Sequence, residues 1–253
     1  MKRILSIFAI LGILVASLSA GEVNPFLTNA GLGIEGNVNI GNDVMWRGVS
    51  VTDRGPGIQG NARLVAITKY GKFYGDVDAK STVANPLMTY SAGYENAIGI
   101  KTPHCANAKV YGKIEYKVYQ FQAKNHGLDI DNLDFNTIYV KAGLQNVAMG
   151  ALNVYGVAEF VDKKNDTRDF NTENRYGVEA DYTFNTLLGD VVVGGQYFNQ
   201  NKWGEDCGVY ISNTIYESTD LKVGYNHFSP DKDTQSYEKD TTNTYLVSLN
   251  YRF

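Results

Sequence analysis

Apolar residues recur at every second position through most of this chain. From Leu32 the even positions read Leu32, Ile34, Gly36, Val38 and Ile40, and the odd ones Gly33, Glu35, Asn37, Asn39 and Gly41. Ile58, Gly60, Ala62, Leu64 and Ala66 face away from Gln59, Asn61 and Arg63. Phe73, Gly75, Val77 and Ala79 alternate with Tyr74, Asp76, Asp78 and Lys80. The same pattern runs through 110–119, 175–184 and 244–253, and more weakly through 90–100, 135–144, 150–161, 190–199, 207–216 and 221–228. Side chains of a strand point alternately to its two faces, so each stretch is a strand with one apolar and one polar side. About twelve strands result, each near the roughly 9–11 residues that a tilted strand needs to cross a bilayer. No segment carries a helical stripe; 125–134 and 185–189 have room for a turn of helix at most. The fold class expected is all-β.

A sheet of this size must cover its apolar face. In water that takes helices or a second sheet. In a bilayer, hydrocarbon covers it, and closing the sheet satisfies the backbone and removes the edges. The connections favour closure in a membrane. Those near 70–72, 145–149, 185–189 and 217–220 are short. Those near 46–57, 123–134, 162–174, 200–206 and 229–242 are longer and polar. Short turns on one side and long loops on the other mark an outer-membrane barrel. One pair departs from this rule: the 84–89 loop is no longer than the 101–108 turn. Aromatics such as Trp46, Tyr70, Tyr90, Tyr176, Phe184, Tyr197 and Tyr225 fall near strand ends, where interfacial girdles are expected. The expected architecture is a single closed antiparallel up-and-down transmembrane β-barrel of about 12 strands. A soluble β-sandwich with aromatics in its core is the alternative.

The N-terminus agrees. Lys2 and Arg3 precede an almost unbroken apolar run from Ile4 to Leu18, followed by Ser19, Ala20 and Gly21. That run is shorter than the roughly 20 residues of a spanning helix and has the order of a secretory signal peptide. Residues 1–20 are therefore read as signal peptide and 21–253 as barrel. The chain is acidic, with net charge −4 and pI about 5.4, which removes the electrostatic basis for nucleic-acid binding. The expected location is the outer membrane of a Gram-negative cell. The expected partners are outer-membrane lipid and lipopolysaccharide, the barrel assembly machinery and small solutes. The last strand carries Leu249, Tyr251 and Phe253 on one face and ends on that Phe. A terminal aromatic on a phased strand resembles the recognition signal of the assembly machinery, which captures an exposed edge by strand addition.

The stretch Asp43-Val44-Met45-Trp46-Arg47-Gly48-Val49-Ser50-Val51-Thr52-Asp53, followed by Gly55-Pro56-Gly57-Ile58-Gln59-Gly60, is similar to a segment of the TorF family of proteobacterial porins. In that family an aromatic-Arg-Gly-Ile/Val-Ser-x-Thr-Asp run precedes Pro-x-x-Gln-Gly. Trp46, Arg47, Gly48, Ser50, Thr52, Asp53, Pro56, Gln59 and Gly60 match; Gly57 and Ile58 stand where the family often has Ala-Leu. The resemblance implies an outer-membrane barrel of porin type. Read from the residues alone, Gly55, Pro56 and Gly57 form a tight turn. Three roles stay open for the segment: an Arg47–Asp53 pair, an inward fold that narrows the bore, or a corner that closes the barrel.

Other patterns are read as structural. Gly31-Leu32-Gly33-Ile34-Glu35-Gly36 spells a dinucleotide fingerprint, but it lies inside a strand rather than before a helix. Small lumen-facing residues at a crowded wall explain it. Asp129-Ile130-Asp131-Asn132-Leu133-Asp134 lacks the glycine and fifth-position oxygen of a calcium loop. His104, His126 and His227 lie far apart, and His227 is the one base available to a hydrolase. Cys105 and Cys207 fall at opposite ends of the barrel, too far apart for a disulfide.

On this phasing the inner wall carries Glu35, Asp76, Asp78, Glu95, Glu115, Glu159, Glu179 and Asp181 against Arg63, Lys80, Lys113, Lys117, Lys141, Arg175, Lys222 and Arg252. A balanced wall predicts weak charge selectivity or an interior closed by salt bridges. The function expected is passive diffusion of small solutes through a porin-like barrel, with no enzymatic activity and no cofactor or metal. A non-conducting structural or adhesive barrel and an outer-membrane hydrolase are the alternatives.

Overall fold

Hydrogen bonding between strands closes the sheet on itself. The computed structural model describes residues 31–52, 54–81, 87–101, 107–125, 128–148, 151–164, 174–187, 189–201, 203–231 and 240–253, with backbone alone for 121–134 and 162–164. The expected signal peptide over 1–20, Asp53, His104, Cys105 and His126 lie outside the described residues.

The strands are β1 (Leu32–Gly41), β2 (Met45–Trp46), β3 (Val49–Ser50), β4 (Gly57–Thr68), β5 (Gly71–Lys80), β6 (Leu87–Gly99), β7 (Lys109–Asn125), β8 (Leu128–Val147), β9 (Leu152–Lys164), β10 (Arg175–Thr186), β11 (Gly189–Gln200), β12 (Gly204–Tyr216), β13 (Thr219–Pro230) and β14 (Thr242–Arg252). All but β2 and β3 form one closed barrel in which each strand pairs antiparallel with its chain neighbour. Pairing of β1 with β14 shuts the cylinder. β2 and β3 form a separate small hairpin within the β1–β4 connection. Among the described residues there is no helix.

The two ends differ. The turn end carries the connections after β4, β8, β10 and β12, together with Gly31 and Phe253, the first and last described residues. The loop end carries the β1–β4 segment and the connections after β5, β7, β9, β11 and β13.

Three expectations about loops are corrected. The polar stretch 123–134 is not a long loop and holds no helical turn: β7 runs to Asn125, β8 starts at Leu128, and the pairs Ala123–Ile130 and Asn125–Leu128 extend the ladder beyond a bulge at Phe121–Ala123. The 200–206 connection shrinks to residues 201–203. The 185–189 stretch is strand on both sides of its turn. The reason is common to them. Backbone pairing does not require an apolar side, and a ladder that projects past the apolar belt has nothing to alternate against.

The outward face is apolar and exposed along the middle of the barrel, with Leu64, Val77, Ile114, Val178, Val209, Ile211, Val223 and Val247 among its residues. Tyr90, Tyr176, Tyr197 and Tyr245 mark its loop-end margin, and Tyr70 and Tyr216 its turn-end margin. Apolar exposure on this scale is foreign to a water-soluble surface and normal for a membrane barrel. The buried residues lie inside the cylinder, concentrated near the loop end. One cluster joins Leu87, Tyr119 and Phe135, another Val49, Trp203 and Phe228, and Trp46 packs on both.

Phe253 closes the turn end of the wall. Its N–H donates to Gly36 O and its carbonyl accepts from Gly36 N, each at 3.0 Å. Its ring covers the space where a Gly36 Cβ would stand. Gly36 therefore faces outward, not into the lumen as expected; Gly33, whose Cβ would meet buried Val65, faces inward.

Candidate functional site

The β1–β4 connection folds into the bore. Asp43 organises it: its Oδ1 accepts from Val44 N (2.7 Å), Ser50 Oγ (2.7 Å) and Thr52 Oγ1 (2.6 Å). Both hydroxyls converge on this one carboxylate oxygen, Ser50 from the end of β3 and Thr52 from the bend that follows it. Val51 N donates to Val44 O at 2.9 Å and Arg54 N to Ser50 Oγ at 2.8 Å. The Ser-x-Thr of the motif thus braces the base of the hairpin.

The reversal lies at Arg47 (φ 49°) and Gly48 (φ 84°). Two successive positive φ values in a two-residue loop define the turn that matches the twist of a hairpin. The tight turn expected at Gly55–Gly57 falls slightly earlier, where Gly55 N donates to Thr52 O (3.1 Å) and Arg54 takes φ 58°. Gly57 instead begins β4, and Pro56 is exposed.

Arg47 reaches the far wall. Its Nη2 stands 3.0 Å from Glu159 Oε2, both side chains 3% exposed. Glu159 lies on β9, six strands from β1 in either direction around the barrel, so the hairpin spans the full bore. Glu159 Oε1 accepts from Tyr119 OH (2.7 Å) and Thr137 Oγ1 (2.9 Å). On the other flank Trp203 Nε1 donates to Arg47 O (3.1 Å) and Asn226 Nδ2 to Gly48 O (3.3 Å). Trp46 meets Tyr119, Phe135 and Trp203 at ring separations of 6.3, 6.2 and 5.8 Å. The structure shows the inward fold, with Arg47 paired to Glu159; the Arg47–Asp53 reading falls on a residue outside those described.

Inward-facing ion pairs ring the bore. Arg63 pairs with Asp76 (3.5 Å), Lys80 with Asp78 (2.6 Å), and Lys113 and Lys117 with Glu115 (3.0 and 3.5 Å). Lys141 pairs with Glu179 (2.5 Å), Arg175 with Asp206 (3.3 Å) and Arg252 with Asp220 (3.0 Å). Asp181 accepts from Asn153 (2.7 Å). Lys72 bridges Glu35 (2.7 Å) and Glu95 (3.4 Å). Four lysines lie over tyrosine rings: Lys113 on Tyr74, Lys117 on Tyr139, Lys141 on Tyr155 and Lys222 on Tyr210. Cations held this way lie flat on the wall. Toward the turn end lies a cavity of about 430 Å³ lined by residues including Thr183, Asp190, Tyr210, Asp220, Lys222 and Arg252.

Sequence reasoning passed over Lys72, Asp206, Asp220, Trp203 and Asn226. Lys72 and Asp206 share the inward parity of Tyr74 and Tyr210, so the alternation that found their neighbours contains them too. Trp203 lies in a connection and gives no such signal. Of the other motif residues, Gln59 Nε2 donates to Asp78 Oδ1 (3.3 Å), and Gly60 pairs with Val38 and Ala79. Leu249 and Tyr251 face outward.

His227 also lies on the outward face. Its Nδ1 is 2.8 Å from Asn243 Oδ1, which accepts from Tyr225 OH at 2.6 Å, and the exposed, free Cys207 stands opposite it in register.

No family model matches the chain, and no curated protein matches it, so the TorF resemblance rests on residues 46–60 alone. Solved structures do match. An outer membrane channel of Pseudomonas putida F1 superposes with a TM-score of 0.53 at 10% identity, over 88% of this chain and 95% of that one. Outer membrane phospholipase A of Escherichia coli gives 0.52 at 14% identity, over 86% of this chain and 91% of that one. What is shared at these identities is the fold: the chain is built as an outer-membrane β-barrel.

Proposed function

We propose that this protein is a porin-like channel of the outer membrane, exported by its N-terminal signal, whose bore is set by the inward hairpin. The observation that carries this reading is the Arg47–Glu159 contact, which holds a short hairpin across the ion-lined interior. A purely structural barrel has no use for a stopper built on a separate hairpin outside the wall's ladder. The fold itself serves both a channel and a phospholipase among the solved structures, so the interior argues for transport where the fold is neutral. Small solutes cross a wall whose charges neutralise one another, which gives weak charge selectivity. Leu249, Tyr251 and Phe253 serve recognition by the assembly machinery, and the apolar belt meets outer-membrane lipid and lipopolysaccharide. The resemblance of residues 46–60 to the TorF family agrees with this reading.

The test is single-channel recording in planar bilayers. The full-length wild type is expected to conduct in small steps. A variant with 44–51 replaced by a short Gly-Ser link is expected to conduct several-fold more, and Lys113→Glu or Arg63→Glu to shift the ion preference. If the shortened variant conducts no more than a protein-free bilayer, the channel reading fails and the structural or adhesive barrel replaces it.

A further inference from the structure

We infer that the hairpin tip is a recognition point for small carboxylates, where Arg47 exchanges Glu159 for the carboxylate of a passing solute. This rests on the channel reading and names its solute class. Arg47 is more than nine-tenths buried, and none of its Nε, Nη1 and Nη2 atoms donates a hydrogen bond among the described residues. A guanidinium offers five N–H donors in a planar fork suited to a two-point oxyanion. Glu159 gives it one ion-pair contact through Oε2. The rest of that carboxylate is committed to Tyr119 OH and Thr137 Oγ1 through Oε1, which fixes its plane and keeps it from closing a two-point pair.

The surroundings sharpen the preference. The Arg47 guanidinium carbon lies 5.2 Å from the Trp46 ring and 5.1 Å from the Phe135 ring. Aromatic walls lower the local dielectric and strengthen any charge-assisted bond formed there. Glu159 keeps both hydroxyl donors when Arg47 turns to the solute, which offsets part of the cost of leaving that buried acid without its cation.

A second set of unfilled groups stands nearby. Asp206 Oδ1 and both amide atoms of Gln200 are buried without a hydrogen-bond partner among the described residues. Asp206 lies against Gly48, and Gln200 is the register partner of Arg175, itself the register partner of Glu159. An acceptor and an amide beside a cation fit a carboxylate with a neighbouring hydroxyl or amino group better than a plain fatty acid. The solute class is small hydroxy and amino acids.

The experiment uses full-length protein in liposomes, with lactate, propionate and glycerol as probes. Two readouts run together: solute uptake, and emission from Trp46 and Trp203, which lie at the tip and are the chain's 2 tryptophans. Wild type is expected to take up lactate several-fold faster than glycerol, with saturation, and to show a saturable emission change with lactate. Arg47→Gln should abolish the emission change and bring lactate down to the glycerol rate, while Arg47→Lys, a point charge without the fork, recovers only part of it. Glu159→Gln should lower the half-saturating lactate concentration. Equal lactate-to-glycerol ratios in wild type and Arg47→Gln, or full recovery by Arg47→Lys, overturn the inference. Propionate matching lactate overturns the part given to Gln200 and Asp206. A saturable emission change without uptake of any probe keeps the carboxylate site and overturns the channel reading instead.

Discussion

Replacing Gly48 by Ala should unseat the hairpin while leaving the barrel intact. Gly48 has φ 84°, a region that costs an L-residue with a Cβ about 1–2 kcal/mol. The added Cβ would stand 2.6 Å from Phe228 Cδ2 and 3.0 Å from Asp206 Cβ. Phe228 is wholly buried and Asp206 is tied to Arg175, so neither yields freely. Overpacking of this kind costs about 1–3 kcal/mol. The sum, about 2–5 kcal/mol, falls on the hairpin's seating alone, because no rung of the barrel passes through β2 or β3. At 1.4 kcal/mol per decade that shifts seating by a factor of roughly 30 or more. Tryptophan emission reads it directly: Trp46 and Trp203 should shift to the red as water reaches them. Conductance should rise, and heat-modifiable migration in gels should stay as in wild type. Gly112→Ala is the control, since its added Cβ meets nothing within 4 Å. A Gly48→Ala protein with wild-type emission and conductance refutes the reasoning.

Glu159→Ala leaves the Arg47 charge buried and unpaired, which costs about 3–5 kcal/mol. Removing Arg47 as well should recover much of that loss, and a double-mutant cycle on hairpin seating, read by emission, checks it. Gly36→Val displaces the Phe253 ring and should lower the yield of folded barrel in membranes, as should deletion of Phe253; quantitative heat-modifiability measures both. Cys207 faces outward and should react with a bilayer-soluble maleimide in intact membranes without loss of the fold, as mass spectrometry of the recovered protein would show.

The wall was legible in the sequence because its determinants are local. Each strand's alternation, from Leu32 to Phe253, fixes which side is apolar without reference to any partner, and antiparallel pairing of neighbours follows from short connections. The extension of β7 and β8 over 123–134 was not legible, since a polar ladder and a polar loop have the same composition. The site was half legible. The motif drew attention to Trp46, Arg47 and Gly48, and the hydroxyls of Ser50 and Thr52 act within ten residues of Asp43. The other half is set by partners more than a hundred residues away, Glu159, Trp203, Asp206 and Asn226. Nothing in the local pattern tells a loop that reaches inward from one that waves in solvent; complementarity with the far wall decides it.

The pairing that shuts the cylinder is the shortest rung set among barrel neighbours. β1 runs with β4 from Leu32–Ala66 to Gly41–Gly57, yet meets β14 only from Asn37–Arg252 to Gly41–Ser248. Each end of that zip has its own fastener: Phe253 against Gly36 below, and Asn42 above, whose side chain bonds Tyr245 O (2.8 Å) and Val247 N (2.7 Å). It joins the first and last strands of the barrel, the pairing of greatest sequence separation in the sheet, so it is the last to form as the cylinder folds. Under tension or heat it is also where the cylinder tears first, which makes Asn42 the stitch that decides how long the closed shape survives.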